Sequence, residues 1–538
     1  MADLTATIIT YNEEENIQAC LESLTWVKEI VVVDSGSSDR TVEICRDYTD
    51  KVCINPWPGH QEQKNVAISL ASHEWILSID ADERVPVELR EAIERELSVP
   101  RHAGYRITRR NYFLGRWMRH GGWYPDRVLR LFDRRKGRFG GLNPHDRVVI
   151  ADGSIDLLDG YLVHLTYRDF SRYIQKQDWY TGISAEGRVR GGHRARSITG
   201  IELALRALVK FVQVYLVKRG FLDGTHGLIA AVGAAHFNFM KYAKVWELGL
   251  RAKPGQGTER RQERWLDRHS APAITPLVGQ DERTVGISAL AITLNEEENI
   301  RQCLESVSWA DEIVVVDAGS DDGTVNVAKA AGALVWSKDW TGFGAQKNFA
   351  FDQATGEWLL VIDADERVSA ALADEILALQ KAGTLSACTA YDVPRRNYFF
   401  GRWLRWGGAY PDRQIRLIRR GKGRYNDLPL HEHLLVDGTV GHLSGHLIHE
   451  AGRTVTDRVA KLNRYSDSVA TETLVKCKRV AWWDLVFRPA VVFVKLYILK
   501  QGFRDGLHGL VYAGLASLYT FARYVKAWEL SGYPRCSG

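Results

Sequence analysis

With 538 residues the chain is too long for one hydrophobic core, so its length predicts roughly two to four domains. A composition of 45% hydrophobic and 25% charged residues excludes a disordered or fibrous chain, and a net charge of +5 is too small to indicate nucleic acid as a partner. The 7 Cys are scattered with no C-x-x-C pair, which fits reduced thiols in a cytoplasm rather than a disulfide framework or a zinc site.

Short apolar strands alternate with helical patterns from the start. Strand Ala6–Thr10 leads to a helix near Ile17–Leu24, and strand Ile30–Val33 runs into Asp34 before a helix at Thr41–Tyr48. A helix at Gln61–Leu70 precedes strand Trp75–Ile79. This alternation predicts an α/β fold, Rossmann-like, with a mostly parallel sheet covered by helices on both faces. Ligands of such sheets bind beyond the carboxyl ends of the strands. That rule puts Thr10-Tyr11-Asn12-Glu13, Asp34-Ser35-Gly36 and Asp80-Ala81-Asp82 on one rim. The first strand begins so early that no targeting segment is visible.

Strands Arg106–Tyr112 and Arg127–Phe132 follow, separated by a Gly- and Trp-rich stretch, and after His164 the pattern turns helical. No window reaches the ~18 apolar residues of a spanning helix. Leu203–Leu216 and Val491–Leu499 are apolar helices interrupted by Arg206, Lys210 and Lys495.

Nearly all of this occurs twice. Thr10 to Ile17 returns as Thr293 to Ile300, Val31 to Ser37 as Val314 to Ser320, Gln63-Lys64-Asn65 as Gln346-Lys347-Asn348, and Ile79 to Val85 as Ile362 to Val368, all at one constant offset. Two whole modules therefore lie in tandem. The reading divides the chain into 1–170 and 285–455 as sheet modules, 171–248 and 456–538 as helical segments, and a polar linker at 249–284 with one short helix near Glu259–Arg268.

The rim residues define the candidate chemistry. Asp80 and Asp82, with Asp363 and Asp365, end a buried strand and offer hard oxygens suited to Mg²⁺ or Mn²⁺ and a diphosphate. Asp34 and Asp317 can accept hydrogen bonds from a nucleobase or ribose. Asn12, Glu13, Asn295 and Glu296 sit at strand exits facing a ligand, whereas Glu14 and Glu15 are the acidic first turn of a helix. Lys64 and Lys347 either hold a base or phosphate or lie on a solvated helix face. Asp126 and Asp412, each just before a strand with an Arg at 130 or 416, are the first candidates for a general base, and Asp146 and Glu432 compete for that role. His164 and His449 occupy matching Leu-x-His sites and are either structural or metal ligands. Glu83 and Glu366 either orient Arg84 and Arg367 or face water.

The set Thr10-Tyr11-Asn12-Glu13-Glu14, Val31 to Ser37, Gln63-Lys64-Asn65, Asp80-Ala81-Asp82-Glu83 and Tyr124-Pro125-Asp126-Arg127, with its second copy, resembles family-2 glycosyltransferases of the GT-A fold. The likeness is strongest to the branch that includes lipopolysaccharide core β-glucosyltransferases. It covers both modules nearly end to end. The resemblance implies a UDP-linked nucleotide-sugar donor, Asp34 and Asp317 near the uracil, Asp82 and Asp365 on a divalent metal, Asp126 and Asp412 as bases, and inversion in a single displacement. It also implies a lipid-linked saccharide acceptor and work at the inner face of the cytoplasmic membrane. By the same likeness, the helical segments with Gly220 to Gly224 and Gly502 to Gly506 are membrane-surface elements; the other reading is an ordinary helical subdomain. The copies differ at Trp123 and Ala409, Arg40 and Gly323, and His145-Asp146-Arg147 and His431-Glu432-His433, which leaves room for two sugars or two acceptors.

Overall fold

The computed structural model describes residues 3–142, 145–191, 198–251, 286–426 and 433–532. The first module opens with β1 (Leu4–Thr10), α1 (Glu14–Glu22), β2 (Glu29–Asp34), α2 (Thr41–Arg46), β3 (Val52–Ile54), α3 (His60–Leu70) and β4 (Trp75–Asp80). There follow β5 (Glu83–Arg84), α4 (Val87–Ser98), β6 (Gly104–Phe113), β7 (Arg116–Trp117), β8 (Asp126–Asp133), a hairpin of β9 (Gly137–Leu142) and β10 (His145–Ile150), and β11 (Ile155–Tyr167).

The sheet runs β3-β2-β1-β4-β8-β6-β11-β5, with β7 on the side of β6. From β3 to β4 it is parallel, as the strand–helix alternation requires. Beyond β4 it is mixed: β8 is antiparallel to both its neighbours, β11 is parallel to β6, and β5 is antiparallel to β11. The central strands are apolar on both faces because both faces are covered. Ile8, Val32, Leu77 and Ile79 pack with Ile17, Cys20 and Leu21 of α1 on one side. Val31 and Val33 pack with Ala67 of α3 on the other. Helix α1 starts earlier than its apolar periodicity suggests, because the Glu13 carbonyl already accepts from the N–H groups of Asn16 and Ile17. The pattern after His164 is likewise strand before it is helix: β11 continues to Tyr167, and α5 (Phe170–Arg190) begins after it.

The second module repeats the order. From edge to edge its strands are Leu334–Ser337, Glu312–Asp317, Ile287–Thr293, Trp358–Asp363, Asp412–Arg419, Ala390–Phe399, Leu447–Glu450 and Glu366–Val368. The Tyr124–Pro125 and Tyr410–Pro411 bonds are both cis.

After α5 come α6 (Gly200–Val212), a π-helical turn Gln213–Val217, a 3₁₀ turn Gly220–Asp223 and the long α7 (Gly224–Arg251). Asp223 is buried and accepts from the backbone N–H groups of Arg119 (3.3 Å) and His120 (2.8 Å). Asp505 does the same for Arg405 (3.1 Å) and Trp406 (2.8 Å). This stretch therefore anchors the loop that leads into β8. Gly227 must be glycine, since a Cβ there would run into the Gly220 carbonyl. By contrast the outer face of α6 is bare: Ile201, Leu205, Leu208 and Val209 are exposed, as are Val217 and Leu222.

The chain forms two compact units that are not the contiguous blocks read from the sequence. One comprises residues 1–187, 203–241 and 525–538, the other 188–202 and 242–524. Inside the first, the Glu529 carboxylate accepts the Phe170 N–H (3.1 Å) at the start of α5. Inside the second, Glu247 accepts the Val455 N–H (3.1 Å). Most of the expected linker, with its helix at Glu259–Arg268, lies outside the described residues. Among the described residues no helix is long and apolar enough to cross a membrane, and the cysteines are free.

Candidate active site

The carboxyl ends of β1, β2 and β4 open on a cavity of about 1280 Å³ lined by Thr10, Glu13, Lys64, Asp80, Asp82 and His164, among others. The rim loops are tied to one another. Asn12 takes the left-handed conformation (φ 53°), which Asn tolerates better than most residues, and its Oδ1 accepts from the Ser38 N–H (2.8 Å). Asn295 repeats this at φ 56°, accepting from the Asp321 N–H at 3.0 Å. Glu13 and Glu296 accept from Asn16 and Asn299. Burial raises both carboxyl pKa values more than those bonds lower them, and the nearby Asp82 and Asp365 add to the rise.

Asp34 is fully buried. Its Oδ1 accepts from the N–H groups of Gly36 (2.9 Å) and Ser37 (2.8 Å), and its Oδ2 from the hydroxyls of Thr10 (2.8 Å) and Ser37 (2.5 Å). A carboxylate has about four such acceptor positions, and all four are filled. Asp34 thus shapes the turn that follows β2, and a nucleobase contact would require one of these bonds to yield. Thr293 and Asp317 are joined in the same way at 3.1 Å.

Five charged side chains meet at the end of β4. Arg130 on β8 pairs with Asp80 and with Glu83 (2.9 Å), Lys64 on α3 lies 3.3 Å from Asp80, and Arg109 on β6 lies 3.3 Å from Glu83. Burial would raise the Asp80 pKa, but Arg130 and Lys64 hold the carboxyl well below its ordinary value. Lys64 is therefore neither a solvated face residue nor isolated; its Nζ also sits 5.0 Å over the Phe139 ring. The Glu83 carboxylate is buried away from water, and it is the Glu83 backbone carbonyl that accepts from Arg84 Nη1 (2.8 Å). The carboxylate accepts from Arg130, Arg109 and the Asp80 N–H (2.9 Å). Glu366 holds Arg416 (2.6 Å), Arg395 (3.0 Å) and the Asp363 N–H (3.0 Å) in the second module. The Nε–H of Arg130 and of Arg416 has no partner among the described residues.

Asp82 and Asp126 are linked through two side chains. The Nδ2 of Asn111 donates to the Trp123 carbonyl and to Asp126 Oδ2, each at 3.0 Å, which turns its Oδ1 toward His164 Nδ1 at 2.6 Å. His164 must then carry its proton on Nδ1 in the neutral ring, leaving the Nε2 lone pair 3.5 Å from Asp82 Oδ2. An acid oxygen and an imidazole lone pair on one side suit a divalent ion that keeps other positions for phosphate and water. No group of three His, Cys, Asp or Glu side chains fit to hold a metal occurs among the described residues. Asp126 Oδ2 also takes Arg109 at Nε (2.9 Å) and Nη2 (2.7 Å), while Oδ1 has no partner among the described residues.

The second module reproduces the chain of contacts. Asn397 donates to the Ala409 carbonyl (2.9 Å) and Asp412 Oδ2 (3.1 Å), accepts at 2.6 Å from His449, and His449 Nε2 lies 3.6 Å from Asp365. Lys347 and Arg416 lie 3.1 and 2.7 Å from Asp363. One difference concerns the base: Gln414 donates to Asp412 Oδ1 (2.9 Å), where the first module has Val128. Burial raises the Asp412 pKa, but Arg395 and these amides bring it below the usual carboxylate value. The side chain of Asp146 and all of Glu432 lie outside the described residues.

Sequence reasoning missed Asn111 and Asn397, although both stand in the repeated Arg-Arg-Asn-Tyr-Phe. It also missed Lys176 on α5 and Lys461, whose Nζ atoms lie 3.8 and 3.5 Å from Asp82 and Asp365. Burial would raise the Asp82 pKa; the His164 ring when protonated, and Lys176, reverse that shift. The signal for both lysines was present, since they share the spacing of the two histidines. Replacing Asn111 by Leu should release the His164 tautomer and the Asp126 rotamer together. Metal affinity at this corner is expected to fall about 10- to 100-fold, read by Mn²⁺ titration of the full chain, with little change in stability.

The description Glycosyl transferase family 2 matches residues 5–152 and again 288–439, more than half of the chain. The chain belongs to glycosyl transferase family 2. The lipopolysaccharide core biosynthesis glycosyltransferase LpsC of Rhizobium meliloti (strain 1021) is 34% identical over 250 residues, covering 45% of this chain and 92% of that protein. An uncharacterized glycosyltransferase of Rickettsia typhi (strain ATCC VR-144 / Wilmington) is 28% identical, covering 47% of this chain and 90% of its own length. Each relative thus has about the length of one module of this family-2 glycosyltransferase. The solved structure of S. aureus TarS 1–349 is similar at 14% identity, covering 46% of this chain and 89% of that one, with a TM-score of 0.25.

Proposed function

We propose that this family-2 glycosyltransferase is bifunctional and inverting, each module moving a sugar from a UDP-linked donor to a lipid-linked saccharide such as lipopolysaccharide core. The observation that carries this reading is the duplicated, unbroken chain from Asp126 through Asn111 and His164 to Asp82, and from Asp412 through Asn397 and His449 to Asp365. The saccharide class follows LpsC by likeness.

In this mechanism Asp126 takes the proton of the acceptor hydroxyl at Oδ1 as that oxygen bonds to the anomeric carbon. The bond from that carbon to the diphosphate oxygen breaks on the opposite face, so configuration inverts and UDP departs. Arg109 and Asn111 keep Oδ2 occupied and fix which oxygen acts. Lys64 and Arg130, whose Nε–H has no partner among the described residues, meet the charge of the leaving diphosphate. Asp82 and His164 would hold Mg²⁺ or Mn²⁺, which supplies Lewis-acid neutralisation of that diphosphate when bound. The test is thermal. UDP and Mn²⁺ together should raise the Tm of the full chain more than either alone, since ligand at about 100 times its Kd adds ~2.7 kcal/mol. No shift with both present would remove the donor assignment.

The acceptor reading places the enzyme on the inner face of the cytoplasmic membrane. Leu205, Leu208 and Val209 of α6, and Trp482, Trp483, Phe487 and Val491 of helix Trp482–Val494, are exposed apolar faces. Lys210, Lys218 and Arg219 flank the first, and Lys495, Lys500 and Arg504 the second, which matches an anionic bilayer surface. Co-sedimentation with phosphatidylglycerol vesicles should be strong at low salt, fall as salt rises, and weaken in a Leu205→Ser, Leu208→Ser double variant. Protein that stays in the supernatant at low salt would count against membrane contact.

A further inference from the structure

We propose that the acceptor of the first module carries an anionic group, a phosphate or carboxylate on its saccharide, and that the second module takes an acceptor without one at the matching place. This rests on the glycosyltransferase reading above and names the substrate class of its two sites.

Arg106 of β6, Arg127 of β8 and Arg147 of β10 all line the cavity, all are exposed, and none makes an ion pair among the described residues. Three guanidinium groups lining one cavity give it positive charge, and an anion presented to their forks would balance that charge while accepting paired N–H bonds. The diphosphate of the donor is not that anion. The mechanism proposed above gives its charge to Lys64 and Arg130, which lie at Asp80 and which the second module repeats as Lys347 and Arg416 at Asp363. A donor requirement shared by both modules would be built the same way in both, and the arginine cluster is not.

In the second module the corresponding residues are Asp392, Arg413 and His433. Asp392 accepts from Arg413 Nε at 2.7 Å and from His442 Nδ1 at 2.9 Å, so the remaining arginine is neutralised by its own wall. The Asp392 pKa would rise with burial, but Arg413 and His442 lower it, so the acid stays charged. One charge reversal, Arg106 against Asp392, thus separates a wall open to an anion from a closed one. Beside the open wall stand the exposed Trp57 and Trp179, joined through His60 at ring distances of 4.7 and 5.9 Å, a surface suited to the apolar face of a sugar ring. The second module has Trp340 and Phe343 at the first two positions and Arg464 in place of Trp179.

The test uses the full chain saturated with UDP and Mn²⁺, so that the donor site is filled, and titrates it calorimetrically with glucose 6-phosphate, glucuronate and glucose. Glucose 6-phosphate, glucuronate or both should bind at one site per chain about tenfold or more tighter than glucose, and the two arms tell phosphate from carboxylate. Arg106→Asp and Arg127→Gln should each erase the preference, and Asp392→Arg should add a second anion site. Equal affinity for all three sugars, or a preference that survives both arginine variants, overturns the inference. So does an Arg106-dependent preference for UDP-glucuronate over UDP-glucose without any for glucose 6-phosphate, because the charge would then serve the donor. Failure to take up UDP is a separate result: it removes the UDP-donor assignment, and the sugar titrations are then read on the chain without it.

Discussion

Asp82→Asn is expected to abolish transfer by the first module and leave the second untouched, and Asp365→Asn to do the reverse. The amide keeps the shape of the side chain but loses the charge that faces His164 Nε2 at 3.5 Å and Lys176 Nζ at 3.8 Å. A neutral oxygen binds a hard divalent ion poorly, and the departing diphosphate loses its counter-charge. Loss of one such electrostatic contact typically costs about 10²–10³ in kcat. The fold should survive, because the Asp82 backbone carbonyl still accepts from the Leu165 N–H (2.9 Å). The measurement is UDP release and product mass with an envelope glycolipid extract, each variant alone and both combined. If one variant removes all transfer while the other changes nothing, catalysis at two sites is wrong.

Arg130→Met is expected to produce the largest loss of stability. The Arg130 side chain is 6% exposed and serves Asp80 and Glu83 together. Methionine fills the space but leaves the buried Glu83 and the part-exposed Asp80 with only Lys64 and Arg109 to share between them. Breaking a buried charge set from one side costs about 3–5 kcal/mol. For a unit of this size that lowers Tm on the order of 10 °C. The pH dependence carries a sign. In the native protein the Asp80 pKa lies below its unfolded value of about 3.9, so its stabilisation is present above that pH and is lost as pH falls through the folded pKa. In the variant the stranded carboxyls favour protonation, so the deficit should be greatest at neutral pH and shrink below about pH 5. Thermal unfolding of both proteins across that range checks it, and a loss under ~1 kcal/mol at neutral pH would mean that water replaces the guanidinium. Arg416→Met should behave alike in the second unit.

Much of the fold was legible because it is written locally. The Val31-Val32-Val33 run, the apolar spacing of Ile17, Cys20 and Leu21, and the strand ending in Asp80 each signal an element and its buried face. Repetition then marked which polar residues sit on the rim. β9, β10 and most of β11 were not legible. β11 in particular follows no clean alternation, carrying irregularities between Leu157 and Tyr161 and between His164 and Tyr167. The Gly220 to Gly224 stretch stood open between a membrane-surface element and an ordinary helical subdomain, and nothing in its residues signalled that Asp223 within it holds the loop before β8.

The sequence by itself determined the duplicated α/β modules, the acidic rim and the family likeness, since spacing, periodicity and charge belong to the chain before it folds. Only the tertiary structure decided which of those charges act together. His164 meets Asn111 because β11 lies parallel to β6 with these two residues in register, and it faces Glu83 across β5 by the same register. Asp34, a ligand candidate on sequence, closes on its own turn. Glu83, open between an Arg84 partner and water, is the buried seat of Arg130. Arg106 and Asp392 were visible as different letters, but their meaning depends on Arg127 lining the same cavity as Arg106 and on Arg413 pairing with Asp392. Such partnerships are set by strand register and by packing across many residues of intervening chain, and no local propensity encodes either.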